Sequence, residues 1–144
     1  MAKEIKTIYI SLPITGYDLA ERRDLAERAR RRLRERHPGA RVISPFDIAD
    51  VIEAEKPEPL YSDYMKEDVA LILDEADAVC FLVNPRLTRS KGVRLEYQTA
   101  RIYGRRMMRI RPGRRPALGK TLRSIAGVLS GGGRDLLSAC PESR

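Results

Sequence analysis

The stretch that decides the fold is Ala78-Val79-Cys80-Phe81-Leu82-Val83, broken at Asn84-Pro85 and followed by Ser90-Lys91-Gly92-Val93-Arg94-Leu95-Glu96. It reads as a buried strand, a loop, and the first turns of a helix that carries a carboxylate. In open α/β sheets, ligands bind where strand ends meet helix N-termini. This junction offers the Ser90 hydroxyl, the backbone N–H groups of Gly92 and Val93, the charge of Lys91, and Glu96 about one turn further in.

The same alternation runs outward from this segment. Ile5 to Ser11 is a β-rich first strand, and Pro13 to Gly16 makes the turn after it. Asp18 is placed to cap a long helix from Leu19 to Arg36, with Leu25, Ala26, Ala29 and Leu33 at helical spacing. Pro38-Gly39 stops that helix, and Arg41 to Ser44 is a short second strand ended by Pro45. Residues 46–60, rich in acids and prolines, read as a loop with one short helix, of the kind that forms a substrate wall. Tyr61 to Glu75 is the next helix, Lys91 to Tyr103 the helix after Ser90, and Met107 to Ile110 a fourth strand. Crossover-length connections between strands demand parallel pairing. The expected fold is therefore α/β: a doubly wound parallel sheet of four to five strands, flavodoxin-like, in a three-layer sandwich.

Composition bounds the rest. Residues 1–100 hold 17 basic and 18 acidic side chains, whereas 101–144 hold 11 basic and 2 acidic, so the net charge of +8 resides at the C-terminal end. We read 1–110 as the α/β domain and 111–144 as a basic, Gly/Pro-rich tail with an amphipathic pattern from Leu118 to Leu129. Such a tail is either a solvated end or a contact for nucleic acid or another polyanion. The eight arginines of the Leu19–Arg36 helix, set among acids, read as a salt-bridged solvent face. The two cysteines, Cys80 and Cys140, form no disulfide framework, which points to a reducing, cytoplasmic setting. No apolar run approaches the ~20 residues of a membrane span, and the N-terminus lacks a signal-peptide core. A single histidine, His37, argues against a metal site.

Two carboxylates stand out by position. On the helix after Ser90, Val93, Tyr97, Ala100 and Gly104 form the stripe expected to face the sheet, and at ~100° per residue Glu96 falls about 60° to one side. On the Tyr61–Glu75 helix the stripe is Met65, Val69, Ile72 and Ala76, and Asp68 lies about 60° to the same side. Two acids at helix shoulders flanking one strand terminus converge on one cleft, where burial separates their roles into nucleophile and acid. Either acid alone also reads as a boundary residue paired with a nearby Lys or Arg.

Ile8-Tyr9-Ile10-Ser11 with Pro13-Ile14-Thr15-Gly16, then Tyr64-Met65-Lys66-Glu67-Asp68, Asp77-Ala78-Val79 and Ser90-x-Gly92-x-x-x-Glu96 together resemble the nucleoside 2-deoxyribosyltransferase-like superfamily. That superfamily includes the 2'-deoxynucleoside 5'-phosphate N-hydrolases and small phage and bacterial relatives. The resemblance covers residues 5–110. It implies a nucleotide N-glycosidase that cleaves the base–sugar bond of a (deoxy)nucleoside 5'-monophosphate through a covalent glycosyl-Glu intermediate, with no metal or organic cofactor. Glu96 matches the nucleophile, Asp68 the acid that contacts the leaving base, and Tyr9 the tyrosine that positions the nucleophile. Ser90 matches the serine that binds a 5'-phosphate in the hydrolases, where base-exchanging transferases have an aspartate, although Ser90 also reads as an ordinary N-cap. Ser11, Thr15 and Gly16 complete the expected phosphate contacts beside Ser90, Lys91, Gly92 and Val93.

The chain departs from the family pattern in its first loop. Leu12 stands where related proteins have a glycine, and Thr15 where the hydrolases have an arginine. The missing charge would have to come from Lys91, Arg94 or Arg89. Base exchange by a 2-deoxyribosyltransferase, and nucleotide sensing without catalysis, are the alternative activities. A homodimer is expected as well, since Leu95 and Ile102 lie on the side of their helix away from the sheet stripe, where a second copy would cover them; a contact with the C-terminal helix of the same chain is the alternative.

Overall fold

The computed structural model describes residues 3–112; the tail, with the pattern from Leu118 to Leu129, lies outside the described residues. Four strands, β1 (Thr7–Ser11), β2 (Arg41–Ile43), β3 (Ala78–Leu82) and β4 (Arg106–Ile110), form one sheet in the order β2-β1-β3-β4. All three pairings are parallel. The connections are α1 (Leu19–Arg36), the pair α2 (Pro45–Glu55) and α3 (Tyr61–Asp74), and α4 (Lys91–Ile102). The fold is thus a doubly wound, flavodoxin-like α/β domain. The chain leaves β1 toward one edge and β3 toward the other, so the topological switch point lies between their carboxyl ends.

Period-two alternation divides the strands between two cores. Ile8 and Ile10 of β1 join Ala78, Cys80 and Leu82 of β3 under Ala26, Ala29 and Leu33 of α1. Tyr9 of β1 joins Val79 and Phe81 of β3 under Ile72 of α3 and Val93 and Ala100 of α4. Every side chain of β3 is buried, as a central parallel strand requires. Asp77, just ahead of β3, accepts from the backbone N–H groups of Lys6 and Thr7 at 3.0 Å each and pins the start of β1.

The helix starts follow capping chemistry. Asp18 Oδ1 accepts from the Glu21 N–H at 2.8 Å at the head of α1. Ser90 Oγ accepts from the Val93 N–H at 3.3 Å at the head of α4.

Residues 46–60 differ from the sequence expectation, because an eleven-residue helix occupies most of that span. Pro45 is its first residue rather than only a strand terminator, and Asp47 Oδ2 accepts from the Ser44 N–H at 2.8 Å. Arg30 of α1 holds this helix through Asp47, at 2.8 Å to Oδ1 and 2.7 Å to Oδ2, and also donates to the Val42 carbonyl at 3.1 Å. Arg30 and Arg22 are therefore largely buried, as is Arg28 in its pair with Asp24, while Arg23–Asp50 is an expected solvent-side pair.

Candidate active site

Tyr9 and Ser11 are two apart on β1, so they share the face covered by α3 and α4. Glu96 of α4 lies directly over them. The Tyr9 hydroxyl donates to Glu96 Oε1 at 2.7 Å, and the Ser11 hydroxyl donates to Glu96 Oε2. All three side chains are removed from water: Tyr9 and Ser11 are 0% exposed and Glu96 4%. Asp68 of α3, 5% exposed, lines the same cleft, and its Oδ1 has no hydrogen-bond partner among the described residues.

Burial sets the protonation of this pair. It pushes the Asp68 carboxyl up to about 7, and it pushes Glu96 up to about 8 with the charge of Asp68 adding to the effect. Two such carboxyls share protons near neutrality rather than ionising independently. Hydrogen bonds from Tyr9 and Ser11 lower Glu96 against that burial, and Tyr9 also lowers Asp68, whose Oδ1 has no partner among the described residues. Burial, reinforced by Glu96 and Asp68, raises Tyr9 well above its ordinary value, so Tyr9 remains a donor.

The cleft measures about 280 Å³, near the lower end for small-molecule sites. Leu12, Phe46 and Met65 give it apolar walls, and Glu53 also lines it. Glu53 Oε1 accepts from the Tyr64 hydroxyl at 3.1 Å. A second hollow of about 500 Å³ adjoins it, and Thr15, Tyr61 and Ser90 line both. Arg86, Arg89, Lys91, Gly16 and Tyr17 complete the second hollow. Gly16 makes its turn at φ +85°, a conformation that favours glycine. A roomier groove of about 530 Å³ lies between α2 and α3, where Lys56 pairs with Asp63 at 2.6 Å, but it holds neither buried carboxylate. Among the described residues no group of three or more His, Cys, Asp or Glu side chains is arranged to hold a metal.

The structure brings Tyr9, Asp68, Glu96, Ser90, Gly92, Val93 and Thr15 to the cleft, and Lys91 and Gly16 to the adjoining hollow. Three placements differ from the sequence reading. Both carboxylates lie on buried helix faces rather than at shoulders: Asp68 and Ile72 are the buried residues of α3, and Val93, Glu96, Thr99 and Ala100 those of α4. Tyr97, read as part of the sheet stripe, is 37% exposed. Ser11 reaches Glu96 and is fully buried, so it positions the carboxylate instead of meeting a phosphate.

Arg94 lines a different hollow, with Phe81, Tyr97 and Met107, and supplies no charge here. Two contributors were not singled out from the sequence. Arg86 could have been noticed as a cation in the loop after β3. Tyr61 is brought in by Gly92: a Cβ there would stand 3.1 Å from the Tyr61 hydroxyl oxygen.

Among the described residues no helix is long and apolar enough to cross a membrane. Comparison with curated proteins and with solved structures finds no match. Residues 6–109 match the model of a domain of unknown function, DUF4406, a span that runs from the start of β1 into β4 and contains all four buried site residues. The chain is a member of the DUF4406 family.

Proposed function

We propose that this protein is an N-glycosidase that hydrolyses the base–sugar bond of a (deoxy)nucleoside 5'-monophosphate. The observation that carries the proposal is the buried pair: Glu96 held by two hydroxyls, next to Asp68 with an unpartnered oxygen, both facing one cleft at the switch point. Glu96 attacks C1' as the C1'–N bond breaks, and the electron pair of that bond leaves with the base. Asp68 transfers its proton to the base, which departs neutral. Water then attacks C1' of the glycosyl ester while the Asp68 carboxylate takes a proton from it, and Glu96 is regenerated as a carboxylate. Tyr9 and Ser11 hold the nucleophile in place and stabilise its charge in a site that excludes water.

The 5'-phosphate is assigned to the junction of the two cavities. There the Ser90 hydroxyl, the first N–H groups of α4 and the Lys91 ammonium meet Thr15 and Gly16. The test is chromatographic detection of free base from a panel of nucleosides and their 5'-monophosphates. Release from monophosphates is expected, lost in Glu96→Ala and weakened in Ser90→Ala. Absence of release at enzyme concentrations near those of substrate would overturn the reading and leave a nucleotide-binding module. Incorporation of a labelled free base into nucleotide would identify a transferase instead.

The same reading places the protein in the cytoplasm as a homodimer. Leu95 and Ile102 are 47% and 73% exposed, and Met65, Val69 and Leu73 flank Leu95 on the outer side of α3. A second copy would cover that apolar strip. Sedimentation of the parent beside Ile102→Asp reads the outcome, a shift to monomer being expected.

A further inference from the structure

Two cavities of opposite charge share one wall. The cleft that holds Asp68, Glu96 and Glu53 has no cationic side chain in its lining. The adjoining hollow is lined by Arg86, Arg89 and Lys91 and by no carboxylate. None of these three side chains has an ion pair or side-chain hydrogen bond among the described residues, although Arg23, Arg28, Arg30 and Arg41 all have acidic partners. Three unpaired cations therefore face one concavity of about 500 Å³, larger than the cleft in which the chemistry is placed.

The hollow is also a built structure. Its wall residue Tyr17 donates to Asn84 Oδ1 at 3.3 Å, and the guanidinium of Arg22, a residue only 6% exposed, lies 4.1 Å from the Tyr17 ring centroid. Asn84 Oδ1 in turn accepts from the Arg86 N–H at 2.7 Å, which fixes the loop that carries the arginines.

We propose that this hollow holds a second phosphate, so that the preferred ligand is a nucleoside 5'-diphosphate or a longer 5'-pyrophosphate chain. The inference rests on the reading of the cleft as a nucleotide site and extends it. A 5'-phosphate at the Ser90–Thr15 junction brings about −1.5 to −2 charges. The N-terminus of α4 and Lys91 already meet most of that, which leaves Arg86 and Arg89 beyond it with no anion. A second phosphate supplies that anion and occupies the remaining volume. Attack at C1' is unchanged by this extension, because the added group is remote from the bond that breaks. Its binding contributes where remote binding acts, in kcat/KM.

The experiment compares one nucleoside with its 5'-mono-, di- and triphosphate, using both kcat/KM for base release and equilibrium binding by calorimetry. The diphosphate is expected to exceed the monophosphate by about tenfold at low salt, with the ratio shrinking as salt screens exposed charges. Combined Arg86→Ser and Arg89→Ser should bring the ratio toward one. Arg94→Ser, an exposed cation on α4 that lines a different hollow, should leave it intact. Monophosphate equal to or better than diphosphate, or a ratio that survives the double substitution, overturns the inference while base release still supports the glycosidase. Binding that favours diphosphate without base release from any member sinks the glycosidase and retains the inference.

Discussion

Replacing Asp68 by asparagine should uncouple stability from chemistry, in a direction that depends on pH. Asp68 is buried, its Oδ1 is unpartnered, and burial pushes its carboxyl from 3.8 up to about 7. The folded protein therefore keeps a proton that the unfolded chain releases above pH ~4. The stability contributed by this group is complete below that pH and declines as pH rises toward about 7, where the folded carboxyl ionises, and is flat beyond it. At 1.36 kcal/mol per pH unit, the decline across the window has a ceiling of about 4 kcal/mol. Asparagine does not titrate, so Asp68→Asn escapes the decline. It carries a fixed cost instead, about 1–3 kcal/mol for a buried amide without partners.

The variant should thus be less stable than the parent at pH 4 and more stable at pH 8. Thermal melts by circular dichroism at constant ionic strength, from pH 4 to 8.5, give the difference in Tm. That difference should rise with pH by about 10 °C, given several degrees per kcal/mol for a domain of this size. Base release should meanwhile fall by about 10²–10⁴-fold through loss of the proton donor. A difference in Tm that stays constant across the range would mean that Asp68 is ionised in the folded protein, and the assignment of acid and nucleophile would fail with it.

Three further substitutions probe the neighbours. Tyr9→Phe removes the 2.7 Å donor to Glu96 Oε1, so Glu96 becomes harder to ionise, the acid limb of the kcat/KM profile moves to higher pH, and the rate falls roughly 10–100-fold; an unmoved limb would contradict the role. Gly92→Ala puts a Cβ 3.1 Å from the Tyr61 hydroxyl and 3.4 Å from Met65 Sδ, both ends of side chains that can shift, so KM should rise with little loss in kcat while Tm changes by no more than the equivalent of about 1 kcal/mol. Ser90→Ala removes the cap on Val93 N–H at a cost of about 1 kcal/mol in unfolding free energy, and it should weaken monophosphates more than nucleosides; an equal loss for both would reduce Ser90 to a cap alone.

The strands and most helix ends were legible because their causes are local. The apolar run of β3, the Asp18 cap of α1 and the Ser90 start of α4 each depend on a few adjacent residues, and each is found where the sequence places it. Helix α2 was underestimated for a local reason too. Its acids and prolines suggested a loop, yet Pro45 and the Ser44–Asp47 exchange are start signals for a helix.

The faces of α3 and α4 were harder to read. Each carries apolar residues outside its buried stripe: Val69 and Leu73 on α3, Leu95 and Ile102 on α4. The inferred stripe takes in Val69 on α3 and Tyr97 on α4, neither of them buried, so it rotates away from the true one and leaves Asp68 and Glu96 at its shoulders. A stripe of Asp68 and Ile72, or of Val93, Glu96 and Ala100, becomes visible only when a carboxylate is allowed to face a core.

The information that admits a carboxylate to that core lies on β1 rather than on the helices. A strand that sends Ile8 and Ile10 to α1 must send Tyr9 and Ser11 the other way, and two buried hydroxyls in an apolar layer need acceptors. Glu96 and Asp68 are the carboxylates that reach this layer from the helices above it. Shifting β1 by one residue would bury Tyr9 and Ser11 against Ala26 and Leu33 and leave Glu96 without a donor. The register that builds the core and the geometry that holds the nucleophile are therefore a single constraint, and a sequence reading that follows donors as well as apolar residues can locate both.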